Sequence, residues 1–131
     1  MDVRPAVRPL DFATESDLKA ACLKALKQLG VMAMGNALHR GRYKTGLGPG
    51  SPDIVAVLPP LGVFVAIELK KETKQRPAQA MWQADFERQG GLYYQCRSVQ
   101  EVAEAVFKAR EIVQSKTRVV ARPSEREMGT S

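Results

Sequence analysis

The sequence predicts a small α/β (α+β) domain, a mixed β-sheet flanked by helices in the order αββαβα, and three observations carry that prediction. Two Val- and Ile-rich runs, 53–58 and 63–70, are separated by Pro59-Pro60-Leu61-Gly62 and read as a hairpin. Three segments repeat apolar residues at helical spacing behind recognisable start signals. A further short strand-like run, 92–96, falls between the last two helices. Together these elements call for helices layered on one sheet.

Composition narrows the class. The chain has 131 residues, 44% of them apolar and 26% charged, which suits one globular domain with a core of its own. Its two cysteines, Cys22 and Cys96, and single histidine, His39, cannot assemble a Cys/His zinc cluster. No apolar stretch approaches the roughly 20 residues needed to span a bilayer, and the N-terminal residues lack the apolar core of a signal peptide. A reduced, cytoplasmic protein with no membrane partner is therefore expected. The net charge of +6 is concentrated: between Asp17 and Asp53 there is no acidic residue, whereas Lys19, Lys24, Lys27, Arg40, Arg42 and Lys44 all lie there. A local basic surface of this kind fits a polyanionic partner such as nucleic acid.

Residues 1–12, with Pro5 and Pro9 and few apolar side chains, read as an irregular arm. Thr14 is placed to cap a helix, with Asp17 at its third position as in a capping box. That helix should run to about Leu29, stopped by Gly30, with Leu18, Cys22, Ala25 and Leu29 as its buried stripe. Glu15 lies near the edge of this stripe, so it is either a solvent-facing residue of the first turn or an inward-looking carboxylate. The stretch 35–52 interleaves Gly35, Gly41, Gly46, Gly48 and Gly50 with His39, Arg40, Arg42, Tyr43 and Lys44, and reads as a long basic loop. Loops of that length inside a compact domain usually bind something. It lacks the Gly-Lys-Ser/Thr ending of a phosphate-binding Walker loop.

In the hairpin, a four-residue loop pairs Leu58 with Val63. Counting back from there sets Asp53 directly opposite Glu68. Facing residues have Cβ atoms about 4.5 to 5.5 Å apart, so two carboxylates there repel unless a positive charge joins them. Alternation along the second strand puts Lys70 on the same face as Glu68. Pro77 suits the first turn of the next helix, on which Gln79, Trp82, Gln83 and Phe86 share a face, and Gly90-Gly91 ends it. After the strand 92–96, Ser98 and Glu101 form a second capping box. They open a helix to about Gln114 whose apolar face is Val99, Val102, Ala103, Val106 and Val113. From Ser115 the periodicity is lost, and 115–131 reads as a mobile basic tail, leaving 13–114 as the folded domain.

The chemistry-bearing pattern is Pro-Asp, fourteen residues, then Glu-x-Lys. Hard divalent cations such as Mg²⁺ take oxygen ligands, often one or two carboxylates plus water and substrate phosphate. Asp53 and Glu68 supply such oxygens, and the backbone carbonyl of Leu69 can add another. An ion held there can activate water and polarise a phosphoryl oxygen. Lys70 places a cation where negative charge develops.

The stretches Ser51-Pro52-Asp53-Ile54-Val55, Ile67-Glu68-Leu69-Lys70 and Gln79-Ala80-Met81-Trp82 resemble the PD-(D/E)xK nucleases. Within them the chain resembles the virus-type replication-repair nuclease (VRR-NUC) domain. That family has an acidic residue on its first helix, a glycine-containing loop into Pro-Asp, and Gln-x-x-Trp on the helix after Glu-x-Lys. The resemblance covers roughly residues 12–113 and implies a restriction-endonuclease-like core. It also implies Mg²⁺- or Mn²⁺-dependent cleavage of DNA phosphodiesters. The metal would be bound at positions matching Glu15, Asp53 and Glu68, with Lys70 as catalytic lysine and Gln79 supporting the site. Trp82 suits packing of its helix. Stand-alone relatives, typical of phages and bacteria, resemble homodimers that cut branched DNA such as four-way junctions, and a two-fold pair of sites can cut opposed strands. His39, Arg40, Arg42, Tyr43 and Lys44 in the loop, with Lys71, Lys74 and Arg76 after the strand, are the expected phosphate contacts. Two other readings fit the same residues: a DNA-binding module that keeps the fold and needs a partner for activity, and a sequence-specific restriction-type nuclease.

Overall fold

The computed structural model of the chain describes residues 14–36, 46–70 and 75–130, the last of these as backbone only from 118 onward. The elements run α1 (Glu15–Gln28), β1 (Met32–Gly35), β2 (Ile54–Leu58), β3 (Val63–Leu69), α2 (Pro77–Arg88), β4 (Leu92–Cys96) and α3 (Val99–Thr130). The four strands form one sheet in the order β1-β2-β3-β4, antiparallel except for the parallel β3–β4 pair. Helix α2 is the crossover that a parallel pair requires.

Local chemistry sets most boundaries. Thr14 Oγ1 accepts the Asp17 N–H at 3.0 Å and so caps α1. The helix closes in a Schellman motif: Gly30 N–H bonds the Lys27 carbonyl at 3.0 Å and Val31 N–H the Leu26 carbonyl at 2.9 Å. Gly30 takes φ +75°, a left-handed conformation that a side chain would strain. Ser98 Oγ accepts from Glu101 N–H at 3.1 Å at the start of α3, while Glu101 Oε1 reaches back to the Arg97 N–H at 2.7 Å.

Strand alternation divides the sheet into two faces. Ile54, Ala56, Leu58, Val65, Ile67, Leu69 and Cys96 enter the main core together with Leu18, Cys22 and Leu26 of α1 and Val102, Ala105, Val106, Ala109 and Val113 of α3. Ala66, Glu68 and Lys70 turn to the other face, beside Tyr93 by the β3–β4 register. Helix α2 lies on that face, where Trp82 stacks on Phe86 at 4.8 Å and tilts against Tyr93 at 6.3 Å. Trp82 thus serves packing, as expected. Cys22 and Cys96 are free and buried. Among the described residues no helix is long and apolar enough to cross a membrane.

Three details differ from the sequence reading. The sheet gains β1, so the order is αβββαβα. The buried stripe of α1 runs through Leu26, fully buried, while Ala25 and Leu29 are only half-buried; on α3, Ala105 and Ala109 are buried where Ala103 is only half-buried. Helix α3 also continues to Thr130 instead of ending near Gln114. No Gly or Pro lies between Gln114 and Ala121, so losing the apolar period removes burial without supplying a stop. The arm 1–12 lies outside the described residues.

Candidate nuclease site

The hairpin register is the expected one. Leu58 pairs with Val63 and Ile54 with Ile67, and one further step sets Asp53 opposite Glu68. Asp53 is bound on both sides. Its backbone carbonyl accepts the Asn36 N–H at 2.8 Å, extending the β1–β2 ladder, and its carboxylate Oδ2 accepts the Leu69 N–H at 2.8 Å. The carboxylate is therefore fixed beside the strand that carries Glu68.

Glu68 is 7% exposed. Its Oε2 accepts a hydrogen bond from Gln79 Nε2 at 2.7 Å, and Gln79 Oε1 in turn accepts the Arg76 N–H at 3.0 Å. Gln79 thereby ties the first turn of α2 to the carboxylate, which accounts for its being the buried residue of that helix. The other oxygen, Glu68 Oε1, is buried and, among the described residues, has no hydrogen-bond partner. Burial, with the Asp53 charge adding to it, pushes the Glu68 carboxyl up to about 7, against the pull of Lys70 and Arg76. Burial also raises the Asp53 carboxyl, offset by the Leu69 N–H and by Lys19. Two acids whose ionisation is opposed by desolvation, with the Asp53 charge further opposing that of Glu68, form a site that a cation would relieve.

Lys70 is buried, its backbone N–H bonding the Cys96 carbonyl at 3.0 Å, and its charge acts on Glu68. Arg76, at the start of α2, is exposed, and its charge also acts on Glu68. Glu15 is exposed in the first turn of α1; its charge reaches both carboxyls and raises both. Among the described residues no set of three or more His, Cys, Asp or Glu groups is gathered closely enough to hold a metal ion. His39, Arg40, Arg42, Tyr43, Lys44, Lys71 and Lys74 lie outside the described residues.

Asn36, which the sequence reading passed over, holds the segment leading to Asp53. Its Nδ2 donates to Ser51 Oγ at 2.8 Å and to the Pro52 carbonyl at 2.7 Å, and its Oδ1 accepts the Leu47 N–H at 3.0 Å. An Asn at a strand end before a glycine-rich loop carries no distinctive signal, so nothing local pointed to it. Lys19, which the sequence places only within the general basic stretch, follows Glu15 by four residues and so shares its helix edge. The same segment seats itself on α2 through Gly50, at φ +81°: a Cβ there would come 2.2 Å from the Ala78 carbonyl oxygen, one residue before Gln79.

No protein-family profile and no curated protein matches the chain. Among solved structures it is similar to a VRR_NUC domain, with a TM-score of 0.52 and 22% identity over 70% of this chain and 92% of that one. The chain therefore has the VRR-NUC fold, a mixed sheet flanked by helices, in agreement with the motif-based expectation.

Proposed function

We propose that this chain is a metal-dependent, structure-selective endonuclease that hydrolyses phosphodiesters of branched DNA. The observation that carries this reading is that Asp53, held by the Leu69 N–H beside β3, faces by continuation of the register the Glu68 carboxylate, whose Oε1 is buried and has no hydrogen-bond partner among the described residues. An unsatisfied buried acceptor costs roughly 1 to 3 kcal/mol, and a cation at that oxygen would offset this cost. The VRR-NUC fold supports the reading independently.

The donor set fits Mg²⁺ or Mn²⁺: oxygens of Asp53 and Glu68, with the Leu69 backbone carbonyl as a third, leave room for water and phosphate. Such an ion, when bound, would supply an activated water and neutralise charge on the phosphoryl oxygens. The residues of the chain do the rest. Gln79 holds Glu68 in one orientation, and the Leu69 N–H holds Asp53. Lys70 offsets charge developing at the scissile phosphate. Glu15 acts from the first turn of α1 through the field or an intervening water. Arg76, with His39, Arg40, Arg42, Tyr43, Lys44, Lys71 and Lys74, binds backbone phosphates without reading sequence. Two copies related by a two-fold axis would cut opposed strands, in the cytoplasm of a bacterium or phage-infected cell.

The test is incubation of the purified protein with a fluorescent four-way junction, a flap and a linear duplex, each with Mg²⁺, Mn²⁺ or EDTA. Metal-dependent cutting that prefers the branched substrates, and is lost in Asp53→Asn, is expected. Absence of cutting on every substrate with either metal contradicts the proposal.

A further inference from the structure

The motif that defines the site brings one lysine to it, and the fold brings a second. Lys19 stands on α1, half-buried, one turn beyond Glu15. Its Nζ donates to the backbone carbonyl of Asn36 at 2.6 Å. The Asn36 N–H bonds the Asp53 carbonyl, so the ammonium is seated one residue away from the Asp53 backbone through a rigid ladder position. Its stem occupies the space that Gly35 leaves: a Cβ at Gly35 would lie 3.0 Å from Lys19 Cε and 3.3 Å from Leu23 Cδ1. A side chain with four rotatable bonds is thereby held in one place, which a merely solvating lysine is not.

An ammonium has three protons, and the Asn36 carbonyl takes one. Among the described residues no carboxylate forms a direct ion pair with Lys19. Its charge nevertheless acts on Asp53, whose carboxyl it favours in the ionised form. Lys70 follows β3 two residues after Glu68 and its charge acts on that carboxyl, whereas Lys19 comes from α1 and acts on Asp53, so each carboxylate has a lysine of its own. Glu15, Asp53 and Glu68 would otherwise present a negative field to an approaching polyanion on the α1 side.

We infer that Lys19 is a phosphate-binding residue of this site, which grips the nucleic-acid backbone on the Asp53 side while Lys70 serves the Glu68 side. This rests on the endonuclease reading. Each phosphate neutralised adds about 0.9 to the slope of log K against log salt for duplex DNA. Lys19 should therefore be visible in that slope as a single contact.

The experiment measures binding of a fluorescein-labelled four-way junction by anisotropy in EDTA from 50 to 300 mM KCl, for wild type, Lys19→Gln and Lys19→Arg. Glutamine keeps an N–H for the Asn36 carbonyl but carries no charge. Lys19→Gln is expected to weaken binding several-fold and to reduce the slope by about 0.9, with its melting temperature close to wild type, and Lys19→Arg is expected to restore the slope. An unchanged slope in Lys19→Gln, whatever its affinity or melting temperature, overturns the inference. Cleavage with Mn²⁺ by the wild-type preparation separates the two claims. Wild type that cuts while Lys19→Gln keeps the full slope removes the Lys19 contact alone. Wild type that shows the Lys19-dependent slope and never cuts removes the endonuclease reading and keeps the contact.

Discussion

Replacing Glu68 by Gln should stabilise the metal-free protein at pH 8, by an amount that follows from where the carboxylate sits. Burial and the facing Asp53 raise its pKa from 4.5 to about 7. Below pH 4.5 the group is protonated both folded and unfolded, and its neutral form suits the buried site. Between 4.5 and about 7 the unfolded chain releases the proton and the folded chain keeps it, so stability is lost as pH rises through that window. At 1.36 kcal/mol per pH unit, the interval corresponds to about 3 kcal/mol as a ceiling. A chain of this size gains roughly 3 to 5 °C per kcal/mol, so the variant should melt up to about 15 °C higher at pH 8. Glutamine keeps the shape, and its side-chain carbonyl can still accept from Gln79 Nε2. Differential scanning calorimetry in EDTA at pH 5 and pH 8 makes the comparison. The two proteins should nearly coincide at pH 5 and separate at pH 8, and excess Mn²⁺ should raise the wild type selectively. Equal melting temperatures at both pH values would refute the claim that Glu68 is a desolvated, partly unsatisfied acid.

Gly50→Ala should cost roughly 2 to 3 kcal/mol in urea unfolding, because the new Cβ meets the Ala78 carbonyl oxygen at 2.2 Å and the backbone holds φ +81°. It should also lower cleavage by the folded fraction, since Gln79 follows Ala78. Asn36→Ala should cost roughly 1 to 3 kcal/mol, measured the same way, by stranding the Leu47 N–H and freeing Ser51 and Pro52. Leu26→Ala should cost roughly 2 to 5 kcal/mol by leaving a cavity between α1 and the sheet, while cleavage per folded molecule stays at the wild-type level.

The hairpin was legible because its register is fixed locally. Pro59-Pro60-Leu61-Gly62 defines the loop, alternation does the rest, and the facing of Asp53 and Glu68 follows by counting. Caps at Thr14 and Ser98 and the stop at Gly30 were legible for the same reason, since each is a hydrogen bond made within a few residues. Strand β1 was not. Met-Ala-Met-Gly has no alternation and little β propensity, and its residues are mostly exposed; it is a strand because β2 offers a partner. The extent of α3 was misjudged because apolar periodicity reports which residues are buried, and a helix can continue after its burial ends. At the site, the carboxylate pair, Lys70 and Gln79 were visible as a motif. The roles of Asn36 and Lys19 depend on contacts across 11 to 17 positions, from Asn36 to Leu47, Ser51, Pro52 and Asp53 and from Lys19 to Asn36, which spacing along the chain does not reveal.

Metal-dependent cleavage at this site requires Asp53 and Glu68 to share a divalent cation, and a crystal soaked in Mn²⁺ tests this directly. An anomalous peak between the two carboxylates, within about 2.2 Å of their oxygens, is the predicted result. Clear density for both side chains with no peak between them, at Mn²⁺ concentrations that saturate any cleavage, would contradict it.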